Sequence, residues 1–339
     1  IPAFYAPAAG NETGEALLTP ASVRAVAKVF REKGSDAWFT EPAPELLKHY
    51  DPASDPELPE GLRGVDAASL EKGGDIFDVW FESGSSWNAV MRERSGGADY
   101  PIDLYLEGSD QHRGWFQLSL LPGLGVTGRS PYREVLTHGF VVGKDGRKMS
   151  KSLGNALEVD DLVKEFGADV LRWWVASTPF ENDMKADREI FRTTGESYRK
   201  VRNTLRFLLS NLHDFDARDE EHGGDMTPPS AYKPTSLDAW ALGMFDRVQA
   251  EVRQAFERHQ YARVAHKIYN FCNDTLSSVY LAAVKDRLYC DRADSPRRRR
   301  TQSTLWRLAD GLAKLLAPVL PHTADEAYRA LHGIDASDT

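Results

Sequence analysis

The sequence predicts an α/β unit followed by an all-α helical bundle, on three observations. Two strand-loop-helix patterns lie at 102–121 and 134–177. After Pro179 the apolar residues recur only at three- and four-residue spacing, the period of a helix buried on one face. The 339 residues suffice for about two domains, and 41% hydrophobic residues supply ordinary cores.

Near the N-terminus, Thr19-Pro20 reads as a helix cap and first-turn proline, Val23, Val26, Ala27 and Phe30 repeat at helical spacing, and Gly34 closes the element. Pro42, Pro44, Pro52, Pro56 and Pro59 then mark an irregular connector, and 76–81 reads as a strand. A short strand is expected over 102–106, with Ser109 or Asp110 capping a helix through Leu121. A second strand covers 134–142, a glycine-flanked loop follows, and helices cover 159–166 and 168–177 with Gly167 between them. Four longer helical patterns come next. The first ends in Leu205, Leu208, Leu209 and Leu212, and the second carries Trp240, Met244, Val248, Val252 and Phe256. The third carries Val264, Ile268, Phe271, Thr275 and Val279, and the fourth Leu305, Leu308, Leu312, Leu315 and Leu316. Pro318 and Pro321 break the fourth, Thr323-x-x-Glu326 reads as a capping box for a short last helix, and the polar stretch 216–234 reads as a surface loop.

No run approaches the roughly eighteen apolar residues of a membrane span, and no basic-then-apolar signal segment opens the chain. A soluble cytoplasmic protein without a membrane partner is expected. Cys272 and Cys290 are the only cysteines, which leaves neither a disulfide framework nor a CxxC zinc site. A net charge of -9 argues against nucleic-acid binding by the whole surface, but the balance turns positive over 185–206. There Arg188, Arg192, Arg199, Arg202 and Arg206 fall on one helical stripe, which by itself is either a solvated face or an RNA face. Arg297, Arg298, Arg299 and Arg300 stand at a helix start, where the macrodipole disfavours cations; a solvated face and a phosphate partner both remain open.

The densest chemistry is Lys148-Met149-Ser150-Lys151-Ser152. Two lysines three residues apart stand beside two hydroxyls with no carboxylate between them, after Gly143 and Gly146 and before Gly154. Such a loop can close over a triphosphate. Glu107 and Asp110 follow a strand, where ligand crevices of open α/β sheets lie, and their acceptor-only carboxylates suit ribose hydroxyls or an ammonium group.

The run Gly146-Arg147-Lys148-Met149-Ser150-Lys151-Ser152-Leu153-Gly154-Asn155 resembles the signature loop of class I aminoacyl-tRNA synthetases, most closely the isoleucyl-tRNA synthetase family. Asp78-Val79-Trp80-Phe81-Glu82-Ser83-Gly84, Tyr105-Leu106-Glu107-Gly108-Ser109-Asp110-Gln111-His112-Arg113-Gly114-Trp115-Phe116 and Thr137-His138-Gly139-Phe140 are similar to that family in order and spacing. The second of these differs most in valyl and leucyl relatives, and the likeness runs to about Leu331. The resemblance implies a partial Rossmann-type catalytic domain with 1–75 as a peripheral insertion, 76–178 as its second half, and 179–339 as a helical anticodon-binding domain. The family's His-x-Gly-His signature has no match in the sequence. The chain is therefore expected to be a fragment, inactive alone, of an enzyme that joins isoleucine to AMP and transfers it to tRNA(Ile).

By this resemblance Lys148 and Lys151 stabilise charge on the ATP phosphates, with Lys151 as the direct ligand. His138 and the Met149 backbone would meet the adenosine. Glu107, Gly108, Asp110 and Gln111 would hold the aminoacyl-adenylate, Trp80 and Trp115 would wall the isoleucine pocket, and the arginine stripe would bind tRNA. Lys144 and Arg147 stay open between ligand contacts and solvated charges, and His112 is given no general-base role. Glu82 stands where the family has an aspartate. The implied partners are ATP with Mg2+, L-isoleucine and tRNA(Ile), bound by a monomer; the zinc module of bacterial members would be missing from this fragment. A valyl or leucyl relative, a non-catalytic tRNA-binding module and a nucleotidyltransferase are the competing readings, the last weakened by the long helical domain.

Overall fold

Thr19 starts the first helix because its hydroxyl accepts the Ser22 N–H at 3.1 Å while Ser22 Oγ accepts the Thr19 N–H at 2.9 Å. Helix α1 (Pro20–Lys33) ends at Gly34, whose φ of 82° suits glycine. The computed structural model describes residues 1–7, 14–149, 157–218 and 224–335. They divide into two compact units, Ile1–Tyr105 with Asp110–Val135, and Leu106–Ser109 with Leu136–Thr339.

In the first unit, β1 (Phe4–Tyr5), β2 (Ala16–Leu17) and β3 (Glu71–Lys72) form a small antiparallel sheet in the order β2-β1-β3. It shares a core with α1, α2 (Ala37–Thr40) and α3 (Ala43–Leu46), built on Phe4, Leu17, Val26, Val29 and Leu46. The strand expected over 76–81 does not form, and α4 (Val79–Gly84) begins inside that span. The reason is local: the Asp78 carboxylate accepts the Trp80 N–H at 2.8 Å and caps a helix. A short apolar run has no period that separates strand from helix.

Strand β4 (Ile102–Gly108) pairs with β5 (Tyr132–His138), and a tight 3-10 turn, Ser109–Arg113, follows β4. Neither Ser109 nor Asp110 caps the next helix. Gln111 does so, its Oε1 accepting the Trp115 N–H at 2.9 Å. Helix α5 (Trp115–Thr127) continues through Pro122, beyond the expected end at Leu121, and stops at the left-handed Gly128. A Cβ on Gly84 would lie 2.5 Å from the Leu118 carbonyl oxygen, so α4 and α5 meet backbone to backbone.

In the second unit the strand expected over 134–142 is split, with β5 ending at His138 and β6 covering Val141–Val142. Gly139 causes the break. A Cβ there would lie 2.3 Å from the Asn182 carbonyl carbon, and its N–H bonds to the Phe180 carbonyl at 2.8 Å. The chain after Pro179 thus first adds β7 (Met184–Lys185), parallel to β6, before it becomes helical. Helices α6 (Val159–Phe166) and α7 (Ala168–Ser177) meet at Gly167 as expected.

The bundle consists of α8 (Arg188–Ser210), α9 (Leu237–Glu257), α10 (Tyr261–Asn270), α11 (Leu281–Tyr289), α12 (Pro296–Leu316) and α13 (Pro321–His332). A π-helical stretch, Phe271–Tyr280, joins α10 to α11 and resets the register, so Leu276 and Tyr280 are buried while Val279 faces out. The core runs through Leu205, Leu208, Val252, Ile268, Leu305 and Leu312, and α7 adds Trp173 and Ala176 to it. Thr323 does not head a capping box. Pro321 already opens α13, and Thr323 lies inside it with both its N–H and its hydroxyl donating to Asp169.

The arginine run at the start of α12 is largely paired within the chain. Arg298 meets both oxygens of Asp214 at 2.6 and 3.0 Å, Arg299 reaches Asp214 and Asp225, and Arg297 pairs with Asp291. The Arg298 guanidinium holds the Asp214 carboxyl down at about 2. Three of the four cations are thus paired with carboxylates of the same chain.

Candidate functional site

The lysine loop leaves β6 through a hairpin-like root in the second unit. Val142 bridges to Lys148 in antiparallel sense, and the Gly143 N–H donates to the Arg147 carbonyl at 2.8 Å. Gly146, with φ of 77°, makes the turn between them. Lys148 is exposed at the end of this root. Lys151, with the rest of 150–156, lies outside the described residues, so its role rests on sequence. Lys144 bonds to Glu189 at 2.9 Å and lies 3.6 Å from Asp187 at the start of α8; the Glu189 hydrogen bond raises its pKa. Lys144 thus links the root to the start of α8. Arg147 has its N–H on the Asp145 carboxylate at 3.1 Å, and its guanidinium lies 3.7 Å from that group.

Beside this root lies a cavity of about 1040 Å³ with mainly apolar walls, among them Leu106, Leu136, Phe140, Trp174, Phe180 and Tyr261. His138 and Met149 both line it, so two residues chosen for an adenosine meet at one space. His138 Nδ1 lies 2.8 Å from the Gly139 carbonyl oxygen. The backbone is fixed by a residue that sequence reasoning missed: the Asp183 carboxylate accepts the Phe140 N–H at 2.8 Å. Its only signal was its place after Pro179 among polar loop residues. On the same unit Glu107 is exposed and accepts the Gly108 N–H at 3.1 Å, while Gly108 is buried.

The first unit carries Asp110, Gln111, Trp80 and Trp115. Asp110 is exposed and accepts from the Gln111 amide at 2.9 Å. Because Gln111 caps α5, the Asp110 carboxylate is not explained as a cap. Trp115 stacks on buried Tyr105 with ring centres 4.1 Å apart and donates its indole N–H to the Ser83 carbonyl at 3.0 Å. It therefore has structural work whatever else it does. Trp80 on α4 is 56% exposed, and His112 packs edge-on against Phe116.

All five stripe arginines lie on α8, and they differ in commitment. Arg188 pairs with Glu165, and Arg202 lies 3.4 Å from Glu326. Arg192, Arg199 and Arg206 are exposed without an ion-pair partner among the described residues. These three are the better candidates for phosphate. On the expectation that the stripe binds tRNA, changing all three to glutamine should lower the dependence of tRNA affinity on salt, each lost contact reducing the log–log slope by about 0.7 on single-stranded RNA. Filter binding across a salt series checks this, and an unchanged slope would return the stripe to solvent.

The comparisons agree with this architecture. The family model "tRNA synthetases class I (I, L, M and V)" matches residues 1–187, and "Anticodon-binding domain of tRNA ligase" matches 238–338. Isoleucine--tRNA ligase of Thermoanaerobacter sp. strain X514 is 45% identical over 97% of the chain and 33% of its own length. That of Desulfitobacterium hafniense strain DSM 10664 is 44% identical over 99% and 34%. The chain thus spans about a third of these relatives. The fold is similar to that of LeuRS from Agrobacterium radiobacter K84 in a ternary complex with tRNA and LeuAMS, with TM-score 0.59 and 17% identity over 79% of this chain and 33% of that one. It is also similar to Mycobacterium tuberculosis methionyl-tRNA synthetase in complex with methionyl-adenylate, with TM-score 0.58 and 21% identity over 73% and 49%. Strand units that end in a glycine-rooted lysine loop, a helical bundle that follows them in the chain and a family match over more than half the sequence lead to one conclusion: the chain belongs to the class I tRNA synthetases of the I, L, M and V group.

Proposed function

We propose that the chain supplies the phosphate-clamping loop and the tRNA-binding helices of an isoleucine–tRNA ligase, which activates isoleucine with ATP and transfers it to tRNA(Ile). The carrying observation is the cavity shared by His138 and Met149 at the root of the lysine loop. A purine fits an apolar slot of that kind, and Lys148 and Lys151 would then follow its triphosphate. In-line attack by the isoleucine carboxylate on the α-phosphorus forms the acyl phosphate bond and expels pyrophosphate. Fixed cations stabilise the charge that builds on the departing oxygens.

Mg2+ enters this reading as part of the ATP substrate, held by phosphate oxygens and water. Glu107, Gly108, Asp110 and Gln111 are proposed to bind the adenylate, and Trp80 and Trp115 to bound the side-chain pocket. The division into 1–75, 76–178 and 179–339 belongs to the same proposal, as do a cytoplasmic location, a monomeric state and inactivity of the chain by itself. Pyrophosphate exchange by the complete protein with isoleucine, valine, leucine and methionine tests the substrate. Exchange stimulated most by another of the four would overturn the isoleucine reading.

Trp115→Ala in the complete protein should shift the relative activation of isoleucine, valine and leucine and also lower the stability of the first unit, since it removes the Tyr105 stack and the Ser83 hydrogen bond. Trp115→Phe retains a ring to stack and separates the two effects. Unaltered relative specificity in both folded variants would make Trp115 a core residue only.

A further inference from the structure

The chain next to His138 is held by one short segment, 180–186. The Gly139 N–H donates to the Phe180 carbonyl at 2.8 Å, and the Met184 and Ala186 N–H groups donate to the Phe140 and Val142 carbonyls at 2.8 and 2.9 Å. These bonds carry the register of β6 and β7, Val141 with Met184 and Val142 with Lys185, back by one residue to Phe140 and Asp183. In a regular parallel ladder the Phe140 N–H would then meet the Asn182 carbonyl. Instead the Asp183 Oδ1 takes that N–H at 2.8 Å. The Asn182 carbonyl carbon and oxygen lie against Gly139, 2.3 and 2.4 Å from where a Cβ would stand. A carboxylate thus replaces a main-chain acceptor at the point where the strand is broken.

Both segments wall the cavity, one through Gly139, Phe140 and Val141 and the other through Phe180, Met184 and Ala186. Asp183 is exposed and does not line it. Its effect reaches the cavity through a single peptide plane. The Phe140 N–H that Asp183 holds and the Gly139 carbonyl belong to the same trans peptide unit, which is rigid and points the two groups in opposite directions. On the carbonyl side stands His138, with Nδ1 at 2.8 Å from the Gly139 oxygen. A carbonyl oxygen only accepts, so in the neutral ring the proton lies on Nδ1 and Nε2 is left as an acceptor. Fixing the N–H end of this plane therefore fixes the tautomer and the orientation of the imidazole at its other end.

We propose that Asp183 is a positioning residue for the nucleotide, acting through the Gly139–Phe140 peptide on the His138 ring. This rests on the functional reading above, in which the cavity takes the adenosine of ATP. Loss of the carboxylate leaves the main-chain pairing of Val141 and Val142 with β7 in place, and water can reach the exposed Phe140 N–H, so the fold survives while the ring loses its fixed support.

Pyrophosphate exchange by the complete protein gives the KM for ATP, the KM for isoleucine and kcat separately. Asp183→Ala should raise the KM for ATP about fivefold, the worth of one ordinary net hydrogen bond. The KM for isoleucine and kcat should stay near wild type, which a general loosening of the fold would not allow. Asp183→Asn keeps an acceptor in the same place and should raise the KM for ATP only about twofold, because neutral hydrogen bonds are roughly half as strong as charge-assisted ones. His138→Ala should also raise the KM for ATP, and adding Asp183→Ala to it should raise it no further, because the aspartate acts through the ring. If Asp183→Ala fails a thermal melt, Asp183→Glu takes its place with the same expectation, since one more methylene displaces the carboxylate from the N–H. A wild-type KM for ATP in the folded variant overturns the proposal, as does an equally large further rise in the His138→Ala background or a fall in kcat with both KM values unchanged. A complete protein without amino-acid-dependent exchange overturns the functional reading together with the proposal, whereas exchange that ignores Asp183 overturns the proposal alone.

Discussion

Lys151→Ala in the complete protein should slow isoleucine-dependent pyrophosphate exchange by about 100- to 1,000-fold, the range for removing one fixed electrostatic stabiliser. Isoleucine affinity should change little. The argument is differential binding: the cation gains most from the charge that accumulates as the bond from the α-phosphorus to the leaving pyrophosphate breaks, and less from ground-state ATP. Only the first kind of interaction accelerates chemistry, so kcat should fall with little change in the KM for isoleucine. Lys151→Arg keeps the charge but replaces a compact ammonium with a planar fork, and should recover part of the rate. Exchange at the wild-type rate in Lys151→Ala would remove Lys151 from the phosphate clamp.

The elements most legible in the sequence were those with a local chemical cause. Thr19-Pro20 and Gly34 bound α1 as expected, since a cap, an N-terminal proline and a positive-φ glycine each act on the adjacent backbone. Gly167 separates α6 from α7 for the same reason. What was hidden depended on distant partners. The interruption at Gly139 comes from the Asn182 backbone, more than forty positions further along, and no period in 134–142 encodes it. Thr323 has the spacing of a capping box, but the group that reaches its N–H is Asp169, from a helix far earlier in the chain.

The candidate site divides along the same line. The lysine pentapeptide could be read directly because its cations, hydroxyls and glycines are contiguous. The meeting of His138 and Met149 at one cavity, the commitment of Lys144 to Glu189 and the removal of Arg298 into a pair with Asp214 required tertiary structure. Charge runs are ambiguous in sequence because the carboxylate that neutralises a cation can come from anywhere. The α8 stripe shows both outcomes on one helix face, with Arg188 paired and Arg192 exposed without an ion-pair partner among the described residues.

Arg287→Met should lower the stability of the helical bundle by about 3 kcal/mol, the low end for stranding a buried charge. The charge at risk is Asp238, only 2% exposed in the first turn of α9. Its Oδ2 accepts from Arg287 of α11 at 3.0 Å, and its Oδ1 from the Tyr280 hydroxyl at 2.8 Å and, less closely, from Thr301 of α12 at 3.3 Å. One carboxylate thus ties α9 to the helices that follow it. Burial, helped by the negative charge of Asp238, pushes the Tyr280 phenol well up, so the tyrosine donates throughout the working pH range. Removing the guanidinium leaves only neutral donors on a carboxylate that water barely reaches. The low end of the range applies because the Arg287 side chain is 21% exposed and solvent can partly replace it. Asp238→Asn should cost less, since the amide oxygen still accepts from Tyr280 and Arg287 can turn to water. Changing both partners to apolar residues, Asp238→Leu with Arg287→Met, should recover much of the loss, because no charge is then left buried. Urea titration, with hydrogen exchange at α9 and α11 amides to localise the effect, measures the three variants. An Arg287→Met bundle within about 0.5 kcal/mol of wild type, the usual range for an unremarkable surface change, would show that the pair contributes nothing to holding these helices together.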